Sequence, residues 1–332
     1  MSASTRLNIL LDLSGTLHIG DVATPAAIPA LRKLRDFLSK RGNSSLRFAS
    51  NTTKEAPLSL QQRLLRAGFG AEDVPLMDLY TSLSATAREV AVMQRPALLL
   101  LSPSAQQIFQ DPSSSSPSPS PSPSSSSATH FRPCSDRLPK DLDEEEWKCL
   151  KRCNVVVVGL APDLMRSEWL DEAFRILSGE YSSEQQGAAT PKIIATHRAS
   201  YYRPANAAPL SMGPGPYVSA LETAARLDVR DTLVCGKPSR GFFEGALKEM
   251  RGGEDAQPGE RNIVLHQLLQ KKKLADVSAD LGEGAIELGL ERILVKTGKY
   301  RHGDEDRATK PVFAVHETFA QWVDVLISEE GH

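Results

Sequence analysis

The sequence predicts an α/β protein in which a parallel sheet with helices on its faces is interrupted by a second, inserted α/β unit that caps it. Three observations carry this reading. Continuous apolar runs such as LNILLDL (7–13), VVVVG (155–159) and RILVK (292–296) are too short for helices and fit strands buried on both faces. Segments with helical apolar spacing alternate with them. The alternation then changes character near residue 81 and resumes after Asp231, so the chain leaves one layered unit, builds another and comes back.

Taken in order, Leu7–Leu13 is expected to be the first strand. Pro25–Leu38 is expected to be a helix, because Ile28, Leu31, Leu34, Phe37 and Leu38 share one side while Lys33 and Asp36 lie on the other. Leu46–Ala49 reads as a second strand and Leu58–Ala67 as a second helix stopped by Gly68. Residues 1–80 thus form the first part of the core. Residues 81–230 form the cap, with strands at 97–101, 155–159 and 192–196 and a helix at Glu168–Leu177. Within it, PSSSSPSPSPSPSSSS (Pro112–Ser127) lacks the apolar side chains that offset the entropy of ordering, and is expected to be a disordered surface insertion. It offers hydroxyls for phosphorylation, although a tolerated loop expansion accounts for it as well. The acidic DLDEEEW that follows reads as a solvated, partly helical return. Residues 231–332 complete the core through a TLVC strand (232–235), a Gly241–Met250 helix, the NIVL and RILVK strands and a last helix at Phe319–Ile327.

Composition narrows the function. The 332 residues are 40% apolar and 24% charged, with a net charge of -2, which gives no electrostatic reason to bind nucleic acid or an anionic membrane. No stretch reaches the ~18 apolar residues of a membrane span. Cys134, Cys149, Cys153 and Cys235 have no disulfide or metal spacing, Cys149 and Cys153 being a lone C-x3-C pair. A reducing, cytoplasmic setting is therefore expected. The absence of a G-x-x-x-x-G-K-[ST] loop argues against a nucleotide-dependent kinase.

Three motifs fall at strand ends, where parallel sheets bind ligands, and a fourth precedes a small-residue helix start. Asp12 closes the first strand and precedes a Ser-Gly-Thr turn; a carboxylate there can attack phosphorus, and a turn-capping role is the alternative. Ser50 and Asn51, in SNTTK, bring donors for phosphate oxygens; capping of the next helix by Ser50 and Thr53 is the alternative. Lys237, in GKP, brings an ammonium to the same edge. Asp276 and Asp280, in DVSADLGEGA, can supply oxygens to Mg²⁺ or simply favour a helix N-terminus.

In this order, DLSGT, SN, GKP and DLGEGA resemble the haloacid dehalogenase superfamily of aspartate-nucleophile phosphatases. SNTTKE, VVGLAPD, YY, MGPGPYVSALE, GKPSRGFF and ILVKTGKYR extend the resemblance over the chain, except for about 104–150 and about 250–275. The resemblance implies a Rossmann-like core with an α/β cap and a Mg²⁺ site. It makes Asp12 the nucleophile and a metal ligand, Ser50 a phosphoryl ligand, Lys237 the residue balancing charge between phosphate and carboxylate, and the Ser14 backbone carbonyl a further metal ligand. A dimer through the cap is compatible with it. Ser14 stands where most of the superfamily has a second aspartate that protonates the leaving group. The implied substrates are therefore phosphoramidates, pyrophosphate or activated phosphates, carried on a small molecule or a phosphorylated side chain. His197, Arg198 and Arg203 are candidate cap contacts to such an anion, with ordinary surface charge as the alternative.

One departure bears on the metal. The family's fourth motif runs from a strand directly into Gly-Asp-Asp, then three residues, then Asp. Here Asp280 and Asp276 match the last Asp and the second of the pair, and Ala275 stands where the metal-ligating Asp belongs, preceded by Leu274. Instead of Gly-Asp, NIVL (262–265) is followed by the basic HQLLQKKKLA. Two readings stand side by side. A coding sequence assembled with a wrong splice boundary is favoured, because the pattern holds to Leu265 and resumes at Asp276; the other reading is a real loss of the ligand. With that loss, the rival function is a non-catalytic phosphate- or partner-binding protein.

Overall fold

The computed structural model describes residues 5–109, 130–183, 189–202, 209–267, 282–297 and 310–330. The Ser/Pro segment, Arg203, Asp276 and Asp280 lie outside them. The chain divides into two compact units, one formed by 1–50, 57–81 and 237–332 and the other by 51–56 and 82–236.

In chain order the first unit opens with β1 (Leu7–Leu11), a small hairpin of β2 (His18–Ile19) and β3 (Val22–Ala23), α1 (Ala27–Arg41), β4 (Ser44–Ser50), α2 (Pro57–Arg66) and β5 (Leu79–Thr81). The second unit follows with α3 (Ser82–Met93), β6 (Ala97–Leu100), α4 (Pro103–Gln106), α5 (Glu144–Arg152), β7 (Val155–Val158), α6 (Ser167–Ser178), β8 (Lys192–Ala195), β9 (Tyr201–Tyr202), β10 (Ser211–Met212), α7 (Pro214–Ala224) and β11 (Leu233–Val234). The chain returns to the first unit with α8 (Arg240–Met250), β12 (Arg261–Gln267), α9 (Glu283–Glu287), β13 (Glu291–Val295), β14 (Ala314–His316) and α10 (Phe319–Glu330).

The first unit is built on a parallel sheet of order β14-β13-β12-β1-β4-β5. All of β1 is buried, as its largely apolar run requires. Side chains alternate across it. Leu7, Ile9 and Leu11 join Phe48, Ile263 and Leu265 in one apolar layer beneath Leu31 and Leu34 of α1 and Trp322 of α10. Asn8, Leu10 and the next residue, Asp12, are thereby directed to the opposite face. Leu11 pairs with Leu265 on one side and with Phe48 on the other, so Asp12 emerges at the carboxyl edge between β12 and β4. α1 ends at Gly42, whose φ of 65° is a left-handed conformation that glycine adopts without strain.

The second unit has its own parallel sheet, β11-β8-β7-β6. Val156, Val158, Trp169 and Ile176 fill one side of it. After the Ser/Pro segment the chain returns along β6, where Phe131 N–H donates to the Ala97 carbonyl and Leu99 N–H donates to the Phe131 carbonyl. The acidic stretch is helical in α5, held by a reciprocal capping box between Asp143 and Glu146.

One strand joins a different sheet from the one expected. The TLVC segment was expected to reopen the core at 231, yet β11 pairs with Ile194 and Ala195 of β8 in the second unit, and the return to the first unit comes at Lys237. A short apolar strand carries no mark of which sheet it will join; here the choice is made by register with β8. All four cysteines are free thiols, and burial pushes the Cys235 thiol up to about 12. Among the described residues no helix is long and apolar enough to cross a membrane.

Candidate active site

Asp12 is 4% exposed, and its backbone N–H donates to the Leu265 carbonyl at 2.9 Å, which fixes where its carboxylate leaves the sheet. Lys237, 2% exposed, donates from Nζ to Asp12 Oδ1 at 2.6 Å and to the Ala49 carbonyl at 3.0 Å. The ammonium therefore bridges the ends of β1 and β4, tying the candidate nucleophile to the strand that carries Ser50. A buried carboxylate is tolerable only with such a partner.

The Lys237 loop is held from below by α9. Gly284 N–H donates to the Pro238 carbonyl at 3.0 Å. A Cβ on Gly284 would lie 2.5 Å from that oxygen and 2.4 Å from the Arg240 nitrogen, both backbone atoms, so only glycine permits the approach. Gly284 of DLGEGA thus holds the loop that carries Lys237, a role separate from metal binding.

His266 is a site residue that the sequence reading did not single out. It is 2% exposed, and its Nε2 lies 3.3 Å from Asp12 Oδ2. The strand was expected to end at Leu265, whereas β12 continues through Gln267, with His266 paired to Leu294 of β13. The signal available was the two-residue period: Asn262, Val264 and His266 share one face.

The other candidates separate. Ser50 is buried at the end of β4, next to the Ala49 carbonyl that Lys237 engages. Asn51 belongs to the second unit, where its Oδ1 approaches Gly236 so closely that a Cβ there would meet it at 2.6 Å. Ser14 is exposed in the loop after Asp12, and that loop is fixed by Gly15 N–H donating to the His18 carbonyl and Thr297 Oγ1 donating to the Gly15 carbonyl. The proposed cap contacts have internal duties. Arg198 is paired with Glu222, itself only 3% exposed. His197 is buried, with Nδ1 accepting from the Ala199 N–H and Nε2 3.4 Å from Thr53 Oγ1. Surface charge describes neither of them, because both groups are engaged within the second unit.

Near Asp12, His18 is also buried; its Nδ1 faces the Gly20 carbonyl at 2.7 Å and therefore carries the proton. Burial is the main influence holding its pKa below the ordinary imidazole value, with the charge of Arg63 acting in the same direction. In the unfolded chain the same ring takes a proton near pH 6.5, so below that pH the unfolded state binds more protons and stability falls. Urea unfolding at pH 7.5 and 5.5 should show a loss on acidification that is smaller in His18→Gln. An equal loss in both proteins would mean that His18 does not contribute to it.

The Mg²⁺ implied by the resemblance requires an array of oxygen ligands. Asp12 instead presents Oδ1 to an ammonium and Oδ2 to an imidazole nitrogen. Among the described residues no group of three or more His, Cys, Asp or Glu side chains could hold a metal. Asp276 and Asp280 lie outside the described residues, and the Ser14 carbonyl alone does not make a site. The donor set on Asp12 therefore does not fit the ion.

A family model for haloacid dehalogenase-like hydrolases matches residues 9–112, which include the end of β1, Asp12 and Ser50. Human haloacid dehalogenase-like hydrolase domain-containing protein 2 is 33% identical over 319 residues, covering 96% of this chain and 95% of its own. Phospholysine phosphohistidine inorganic pyrophosphate phosphatase from Xenopus laevis is 25% identical, covering 97% and 95%. Among solved structures, 4-nitrophenylphosphatase from Thermotoga maritima has the same fold, with a TM-score of 0.66 at 19% identity and 97% of each chain covered. A hypothetical protein from Pyrococcus horikoshii OT3 matches with a TM-score of 0.69 at 20% identity, covering 96% of this chain and 99% of that one. The α/β fold, the Asp12 motif and a relative matched over nearly its whole length establish that this chain belongs to the haloacid dehalogenase-like hydrolases.

Proposed function

We propose that the protein is a phosphohydrolase in which the Asp12 carboxylate is the nucleophile. The observation that carries this reading is the buried Asp12–Lys237 pair at the carboxyl edge of the central strand. The carboxylate attacks phosphorus, the bond from phosphorus to the leaving oxygen or nitrogen breaks with its electron pair, and an aspartyl phosphate results. Water then attacks that phosphorus, releasing phosphate and restoring the carboxylate. Lys237 balances the negative charge gathered between carboxylate and phosphoryl oxygens. Ser50, at the end of the neighbouring strand, is the proposed phosphoryl ligand from the first unit, and Asn51 follows it in the chain.

With Ser14 in place of a leaving-group acid, the proposed substrates are phosphoramidates, pyrophosphate and activated phosphate esters. The names of two matched proteins, a phospholysine phosphohistidine inorganic pyrophosphate phosphatase and a 4-nitrophenylphosphatase, support that class. The test is hydrolysis of 4-nitrophenyl phosphate, with and without Mg²⁺, by the wild type and Asp12→Asn. The substitution should lower turnover on the order of 10³-fold or more, as loss of a nucleophile does. The quenched wild type, but not the variant, should yield a phosphorylated Asp12 peptide. Equal traces from both proteins would instead favour a phosphate-binding protein without turnover, the reading to which the His266 contact gives weight.

A further inference from the structure

We infer that His266 closes the Asp12 carboxylate to divalent cations, so that this chain has no Mg²⁺ or Mn²⁺ site at Asp12. The inference concerns ion occupancy alone and holds or fails whether or not Asp12 is phosphorylated.

The strand register places His266 there. Asn8 pairs with Asn262 and Leu11 with Leu265 in β1 and β12, so continuing the parallel ladder brings His266 beside Asp12. The face they share carries a matching polar contact four residues earlier, where Asn8 Nδ2 donates to Asn262 Oδ1 at 2.8 Å. β12 stays in the sheet past this point, pairing His266 with Leu294 and Gln267 with Val295. A Gly-Asp turn at the same place would carry the chain away from the sheet and leave room for a carboxylate. A strand residue with a ring keeps that room filled.

The chemistry agrees with the geometry. A carboxylate offers only acceptors, so the nitrogens facing it are best satisfied as N–H groups. An ammonium has no lone pair for a metal, and an Nε2–H has none at that nitrogen. An ion bound about 2.1 Å from Oδ2 would have to share the space that the imidazole occupies 3.3 Å from that oxygen. The charge of Asp12 is already balanced by Lys237, leaving no excess negative charge to draw a dication from water.

The test is Mn²⁺ titration of the full chain, with free Mn²⁺ read by electron paramagnetic resonance, for the wild type, Asp12→Asn, His266→Asp, His266→Gly and the Asp12→Asn/His266→Asp double variant. The wild type and Asp12→Asn should give superimposable curves. His266→Asp, which sets a second carboxylate beside the first, should bind one Mn²⁺ at least about tenfold more tightly than the wild type, and the double variant should lose that gain. Should His266→Asp fail to fold by circular dichroism, His266→Gly, which only vacates the space, is read in its place against the wild type. A wild-type Mn²⁺ site that disappears in Asp12→Asn would overturn the inference. So would histidine variants that fold and bind Mn²⁺ no better than the wild type.

Discussion

Lys237→Met should destabilise the fold by about 3–5 kcal/mol, the usual cost of stranding one member of a buried ion pair. The residue is 2% exposed, and its ammonium serves both the Asp12 carboxylate and the Ala49 carbonyl. Removing it leaves an anion and a carbonyl without that donor in a region closed to water. Asp12→Asn should also destabilise, because it leaves the ammonium facing a neutral amide. The double variant should recover more than half of the loss caused by Lys237→Met, since neither charge then remains unbalanced. Denaturant unfolding of the four proteins completes the cycle. Additive losses would show the two groups to be energetically independent, and the pair would then have no claim to shape the site. The cycle also separates stability from chemistry: both variants with Asn at 12 should lack turnover, although one of them is the more stable.

The elements most legible in the sequence were those whose pattern is local. The largely apolar run at 7–11 became a strand buried on both faces, and the spacing of Leu31, Leu34 and Leu38 became the buried side of α1. The acidic start of α5 capped itself as its residue types prescribe. What was not legible depended on partners distant in the chain. β11 is as apolar as a core strand, but its sheet is decided by pairing with β8. Asp12 and Lys237 are 225 positions apart, and only the order of the motifs suggested that they meet. His266 was overlooked because the strand was ended where its apolar letters ended, whereas pairing to β13 extends it by two residues. The ion pair of Arg198 was hidden for a related reason: its partner Glu222 lies a helix away.

At Ser14 the expected effect is on selectivity. A positioned general acid contributes roughly 10²–10⁴-fold when the leaving group is a poor one. A serine hydroxyl two residues beyond the nucleophile is too weak an acid to supply that. An activated aryl ester needs no proton at its oxygen, so on the proposed mechanism 4-nitrophenyl phosphate should exceed a simple alkyl phosphate in kcat/KM by roughly 10²–10⁴ more than in an enzyme possessing the acid. Ser14→Asp should narrow the gap by raising alkyl turnover, leaving the aryl ester nearly unchanged. The position can accept the substitution: Ser14 is exposed, and the loop around it is held by Gly15, His18 and Thr297 through contacts that use no Ser14 side-chain atom. Phosphoramidate substrates sharpen the comparison, because a nitrogen leaving group can be protonated before it departs and gains little from an added acid. Their rate should therefore follow the aryl ester across the substitution. If the wild type already turns over alkyl and aryl phosphates alike, another group delivers the proton, and the serine ceases to define the substrate class. If Ser14→Asp accelerates the alkyl ester alone, the missing acid at residue 14 is what confines the protein to substrates whose leaving groups need no help.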